Sequence, residues 1–130
     1  MSRQEAELRK AFPASSVRRL NDVSLTWNGS LSPSPISQSY RVRLEYKKAK
    51  YLRIYALDKL EFAPGWTHLP HVYSTLQQQL CLYYPNSKEW TPGKLFIHTI
   101  IPWASEWFLY YEHWLPSGYW YGGGTTHGVQ

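Results

Sequence analysis

The sequence predicts an α+β fold, an antiparallel meander packed against helices, and three observations carry that reading. Tyr40, Val42, Leu44 and Tyr46 alternate with Arg41, Arg43 and Glu45, the period of a strand buried on one face. A charged turn, Lys47-Lys-Ala-Lys50, leads into a second strand-like run from Tyr51 to Leu57. Ile97, Ile100, Ala104, Trp107, Phe108, Tyr111 and Trp114 then recur at three- and four-residue spacing, the stripe of an amphipathic helix.

The remaining elements follow in chain order. Ser2 to Phe12 reads as a short helix, with Ser2 as cap, Glu5 three residues on, Leu8 and Phe12 on one face and Pro13 as stop. Val23-Ser-Leu-Thr-Trp27 alternates as a half-buried strand, and Asn28-Gly29 is a strong turn signal after it. Ser32-Pro-Ser-Pro35 is a loop. With the two strands above, this gives three strands in a meander. Residues 61–79 read as irregular, Leu80 to Tyr83 as a short extended piece, and Pro85-Asn86-Ser87 as a turn. Thr91-Pro92 is a good helix opening, so Pro102 should kink or split the last helix, and Leu115-Pro-Ser-Gly118 should end it. Gly122 to Gly124 reads as a hinge before a short tail.

A chain of 130 residues fits one domain, 1–130, able to bury a core without disulfides or a structural metal. Its single cysteine forms no internal disulfide and no multi-cysteine zinc site, which suits a reducing, cytoplasmic setting. The opening residues lack a secretory pattern. The longest apolar stretch, Leu95 to Leu115, contains His98, Pro102, Glu106, Glu112 and His113, too polar for a membrane span. His98, His113 and His127 are scattered and show no metal-ligand spacing, and no cofactor motif is present. Seven Trp and eleven Tyr imply an aromatic core, an adhesive surface, or both. Residues 1–60 carry 12 Lys/Arg against 5 Asp/Glu, whereas 61–130 carry 2 Lys against 4 Glu. A basic front half suits an acidic partner or a merely solvated strand face. Nucleic-acid binding would need aromatics interleaved with that basic face, and Tyr40 and Tyr46 point away from it.

Cys81 sits between Leu80 and Leu82, where a free thiol often serves as a small buried hydrophobe. A nucleophile is the alternative. Leu80-Cys-Leu, followed by Trp90-Thr-Pro and a helix, resembles the active-site region of ubiquitin-conjugating enzymes, in which a cysteine leads to Trp-Ser-Pro and the next helix. That family places a His-Pro-Asn tripeptide upstream with its His ten residues before the cysteine, and His71 holds that spacing here. Trp27-Asn-Gly-Ser-Leu-Ser-Pro33 with the Tyr40 strand resembles the family's first two strands. A closer likeness is to the bacterial branch of type II (short) CBASS operons, the cyclic-oligonucleotide antiphage systems. It rests on Pro70-His-Val-Tyr-Ser74, Leu80-Cys-Leu-Tyr-Tyr-Pro85, Glu89-Trp90, Thr99-Ile-Ile-Pro-Trp-Ala-Ser-Glu-Trp107 and the glycine tail with His127.

The resemblance implies a ubiquitin-conjugating-type fold, shortened at the C-terminus relative to eukaryotic members. It implies acyl transfer through Cys81, with the C-terminus of a cGAS-like nucleotidyltransferase as cargo, an amine as acceptor and antiphage defence as role. The family's oxyanion-stabilising Asn falls at Tyr73, leaving the Tyr73 hydroxyl, His71, Asn86 and backbone N–H groups as candidate donors. His71 is expected mainly to brace its loop, and Trp90 to pack. Cys81 should stand partly exposed at the end of a short strand, beside the His71 loop, in a groove walled by 61–79 and by the loop from Tyr83 to Trp90. The rival reading is an inactive module of the same fold that holds the nucleotidyltransferase without chemistry.

Overall fold

The Tyr40–Tyr46 alternation is the spine of a six-stranded antiparallel sheet. The computed structural model describes residues 1–83 and 89–122. A first helix, α1 (Ser2–Ala11), precedes strands β1 (Ser16–Leu20), β2 (Ser24–Leu31), β3 (Tyr40–Lys47), β4 (Tyr51–Ala56), β5 (Val72–Ser74) and β6 (Gln79–Leu80). A 3-10 turn, Phe96–His98, then leads to the long helix α2 (Ile100–Ser117). The strand order is β1-β2-β3-β4-β6-β5, and every pairing is antiparallel. In β3, Tyr40, Val42, Leu44 and Tyr46 are buried, as their alternation predicts. The inner face meets α2 through Ile100, Ala104, Trp107, Phe108, Tyr111 and Trp114, all buried. Tyr40 stacks on Phe108 with ring centroids 4.3 Å apart.

Several sequence expectations are corrected. The meander of three strands is larger by three. Strand β1 escapes pattern reading because only Val17 of its five residues is buried. Asn28-Gly29 is no turn: both residues lie inside β2, opposite Arg43 and Val42 of β3. Gly29 is there because the Trp27 ring occupies the space a side chain would take: a Cβ would fall 2.2 Å from Trp27 Cζ2. The α1 cap is Met1 without a side-chain bond, not Ser2. Gln4 fastens the helix instead: its amide donates to the Lys94 carbonyl at 3.0 Å and accepts from the Phe96 N–H at 2.9 Å.

Thr91-Pro92 does not open the last helix, which starts at Ile100. Pro102 therefore falls in the first turn, where the N–H it lacks would have had no intrahelical partner, and the helix runs on through it to Ser117. The helix ends as read, with Gly118 in the left-handed conformation and its N–H bonded to the Trp114 carbonyl at 2.7 Å.

Two short strands lie within and just beyond the irregular segment. Between Val72↔Leu80 and Ser74↔Gln79, two steps on β5 face one on β6, so Tyr73 is the extra residue of a β-bulge. A bulge re-aims the side chain it carries, and this one lies across from the strand that leads to Cys81.

Candidate active site

Cys81 follows directly on β6, and its position is set by backbone bonds to its neighbours. Its N–H donates to the His71 carbonyl at 3.1 Å. The same carbonyl accepts the Trp107 indole N–H from α2 at 3.0 Å. His71 takes a left-handed φ of 49°, unusual for a residue with a side chain and a sign that the loop is over-determined by its surroundings. Its ring stacks on Trp120, with centroids 5.2 Å apart and planes at 25°. The geometry thus gives His71 a bracing position between the thiol strand, the long helix and the segment after it.

Tyr73 reaches the thiol from the bulge. Its hydroxyl donates its one proton to the Tyr83 carbonyl at 3.1 Å and stands close enough to the Cys81 sulfur to favour the thiolate. The thiol itself points at that carbonyl, with Sγ 3.8 Å from the oxygen. Thiol, phenol and carbonyl form one small polar cluster. Cys81 is 9% exposed, less than its expected partial exposure, because the cluster and the α2 aromatics close over it. Tyr73 is 43% exposed as a residue while its hydroxyl end is drawn into the cluster.

Burial pushes the thiol above its ordinary pKa; the Tyr73 hydroxyl and a Tyr83 backbone hydrogen bond pull the other way, and the Glu89 carboxylate adds to the rise. The resting group is therefore the neutral thiol. Desolvation also raises the Tyr73 phenol, and its bond to Cys81 raises it further, so it is a hydroxyl donor rather than a phenolate.

Two cavities meet at this cluster, and Leu82 lines both. One, of about 330 Å³, holds Cys81 and His71 against Trp103, Glu106, Trp107 and Trp120. Its wall is the long helix and the chain after it, with Leu82 and Glu89 opposite, and of residues 61–79 only His71 contributes; the two expected walls border the second cavity instead, through Tyr73 and Gln79 on one side and Tyr83 and Trp90 on the other. The other, of about 490 Å³, lies between the β3–β4 hairpin and the segment after Cys81. It is lined by Tyr73, Tyr83 and Trp90 and by Lys47, Lys50 and Arg53.

Trp90 packs, as expected, stacked on Phe96 at 5.5 Å and edge-on to Tyr46 at 5.7 Å. Asn86 lies outside the described residues, and so does His127. Among the described residues no group of three or more His, Cys, Asp or Glu could hold a metal ion, and no helix is long and apolar enough to cross a membrane. Sequence reasoning missed the parts that α2 and its successor bring, Glu106, Trp107 and Trp120. They lie far from Cys81 along the chain, and the helical stripe marks Trp107 only as core. It also missed Tyr51 and Tyr55 on the basic face of the sheet, where Arg53 stands over Tyr51 at 4.0 Å and Arg43 over Tyr55 at 5.3 Å. Aromatic and basic side chains are thus interleaved on that face, although Tyr40 and Tyr46 point away from it.

No curated protein matches the chain in sequence. A family model described as "Type II CBASS E2 protein" matches residues 4–128. That span takes in most of α1, the whole sheet, Cys81 and the long helix that walls its cleft. The chain accordingly belongs to the type II CBASS E2 family.

Proposed function

We propose that this chain is a single ubiquitin-conjugating-type domain that carries an acyl group on Cys81. The cargo in this reading is the C-terminal carboxyl of a cGAS-like nucleotidyltransferase, and the acceptor is an amine, in antiphage defence. The observation that carries the reading is the thiol on the wall of a cleft, facing the same Tyr83 carbonyl that holds the Tyr73 hydroxyl beside it. Membership of the family supports conjugation-type chemistry and operon partners.

The chemistry needs two displacements. The Cys81 sulfur attacks the carbonyl carbon of a donor thioester; the new C–S bond forms, the donor C–S bond breaks, and the Cys81 proton leaves with the donor thiol. An amine then attacks the Cys81 thioester, giving an amide, and the thiol is restored with the amine's proton. Each tetrahedral intermediate puts negative charge on an oxygen beside the sulfur, where the Tyr73 hydroxyl can turn from the Tyr83 carbonyl to meet it. The Glu106 side of the cleft offers the incoming ammonium a carboxylate and a route to the thiol.

The test is co-expression with the neighbouring nucleotidyltransferase and separation without reductant. A thiol-sensitive adduct should form with the parent protein and vanish in Cys81→Ala; an adduct that persists in Cys81→Ala would place the nucleophile elsewhere. One observation favours a second reading, a module that holds the nucleotidyltransferase without chemistry: the thiol is buried and its ionisation is disfavoured. Stable binding with no adduct under any condition would select it.

A further inference from the structure

Strand β6 pairs with β4 at one position only, Gln79 opposite Tyr55, and then leaves it. Ala56 N–H adds a bond to the Gln78 carbonyl at 3.0 Å, on the far side of that contact. The chain turns instead toward His71, which takes the Cys81 N–H. Among the described residues, Tyr51 to Ile54 therefore pair with β3 on one side and with no strand on the other. Beside that edge lies the 490 Å³ groove, lined by Tyr51 to Ile54 on one side and by Tyr73, Gln79, Leu80 and Leu82 of the parting segment on the other. A free strand edge is a template for another extended chain.

We infer that the free edge of β4 receives an extended, acidic segment of the conjugated partner, added as a strand whose C-terminal end arrives at the Tyr73–Cys81 junction. The inference deepens the acyl-carrier reading and rests on it. Charge selects the occupant: Lys47, Lys50 and Arg53 line the groove, and no Asp or Glu does among the described residues. Lys47 and Lys50 flank the β3–β4 turn, at the opposite end of β4 from its contact with Gln79. The segment's carboxylates therefore lie upstream of its end, and its last residues pass between Tyr73, Leu82 and Tyr83. The strand enters at the turn and ends where β4 and the Cys81 segment part, so it runs parallel to β4. Main-chain bonds to the edge supply affinity, and the aromatic walls grip alternate side chains.

Two measurements test this. Hydrogen exchange on the intact chain, with and without a synthetic peptide of the nucleotidyltransferase's C-terminal residues, should show new protection at the edge-facing amides between Tyr51 and Ile54. The double variant Lys47→Glu/Lys50→Glu, on an exposed turn, should weaken that peptide about tenfold, the sum of two reversed surface charge contacts. Protection elsewhere, unchanged affinity in the double variant, or equal affinity for a peptide with its acids replaced by amides would overturn the assignment. Protection of the same amides by a single-stranded oligonucleotide but not by the peptide would overturn it too. The underlying reading fails differently: no adduct then forms with the parent protein at any partner concentration.

Discussion

Removing one hydroxyl, Tyr73→Phe, separates the two influences on the Cys81 thiol. Burial disfavours the thiolate, and the Tyr73 hydrogen bond favours it. A hydrogen bond to a charged group contributes about 1.5–3 kcal/mol; the lower end applies here, because Tyr73 is 43% exposed and water competes for the sulfur. Losing about 1.5 kcal/mol cuts the thiolate population about tenfold near neutral pH. Each remaining thiolate is more basic and more nucleophilic, and a Brønsted coefficient of about 0.4–0.5 returns roughly a factor of three. The net expectation is thiol–disulfide exchange with 2,2′-dithiodipyridine about threefold slower in the variant near neutral pH. The difference should shrink as pH rises. Circular dichroism must show the fold intact, which is expected since the ring is retained. Equal rates at every pH, or a faster variant near neutrality, would refute the claim that the phenol stabilises the thiolate.

Three further outcomes are expected. Gly29→Ala should destabilise by about 1–3 kcal/mol, since its methyl would have to displace the Trp27 ring; denaturant melts check this. Glu112→Gln should lower the thermal midpoint by several degrees, about 1–2 kcal/mol, because the Glu112 carboxylate accepts the Ser37 and Tyr40 hydroxyls, each at 2.7 Å. Stability should also fall on the alkaline side. Cys81, Tyr40, Tyr46, Tyr73, Tyr83 and Tyr111 all have raised pKa values, so the native state holds protons that the unfolded chain releases from about pH 9–10 upward. Stability from these groups is complete below the unfolded values and is lost as pH climbs through them; urea melts from pH 8 to 11 should show the midpoint falling steadily.

How much the sequence reveals depends on whether a signal is local. The β3 alternation and the α2 stripe are local, and both stand. The signal at Asn28-Gly29 is local too, but tertiary packing overrides it, since a glycine that accommodates a neighbouring indole looks the same as a turn glycine. Strand β1 buries one residue and so carries no period to read. The Thr91-Pro92 opening is sound capping chemistry placed before a helix that starts later, and Pro102 occupies the first-turn position instead. At the site, the ten-residue spacing from His71 to Cys81 is legible because both belong to one hairpin. The bulge that aims Tyr73, and the helix that brings Glu106 and Trp107, arise from register and long-range packing. The depth of the thiol follows from the same packing.

The most direct measurement is peptide mass spectrometry of the species formed when the chain and the proposed nucleotidyltransferase partner are expressed together. The account predicts a cross-linked pair in which the nucleotidyltransferase's C-terminal residue is joined to Cys81 with the loss of one water, and the pair falls apart in neutral hydroxylamine. A link through any other residue of this chain, a hydroxylamine-resistant bond at Cys81, or a purified complex with Cys81 unmodified would contradict it.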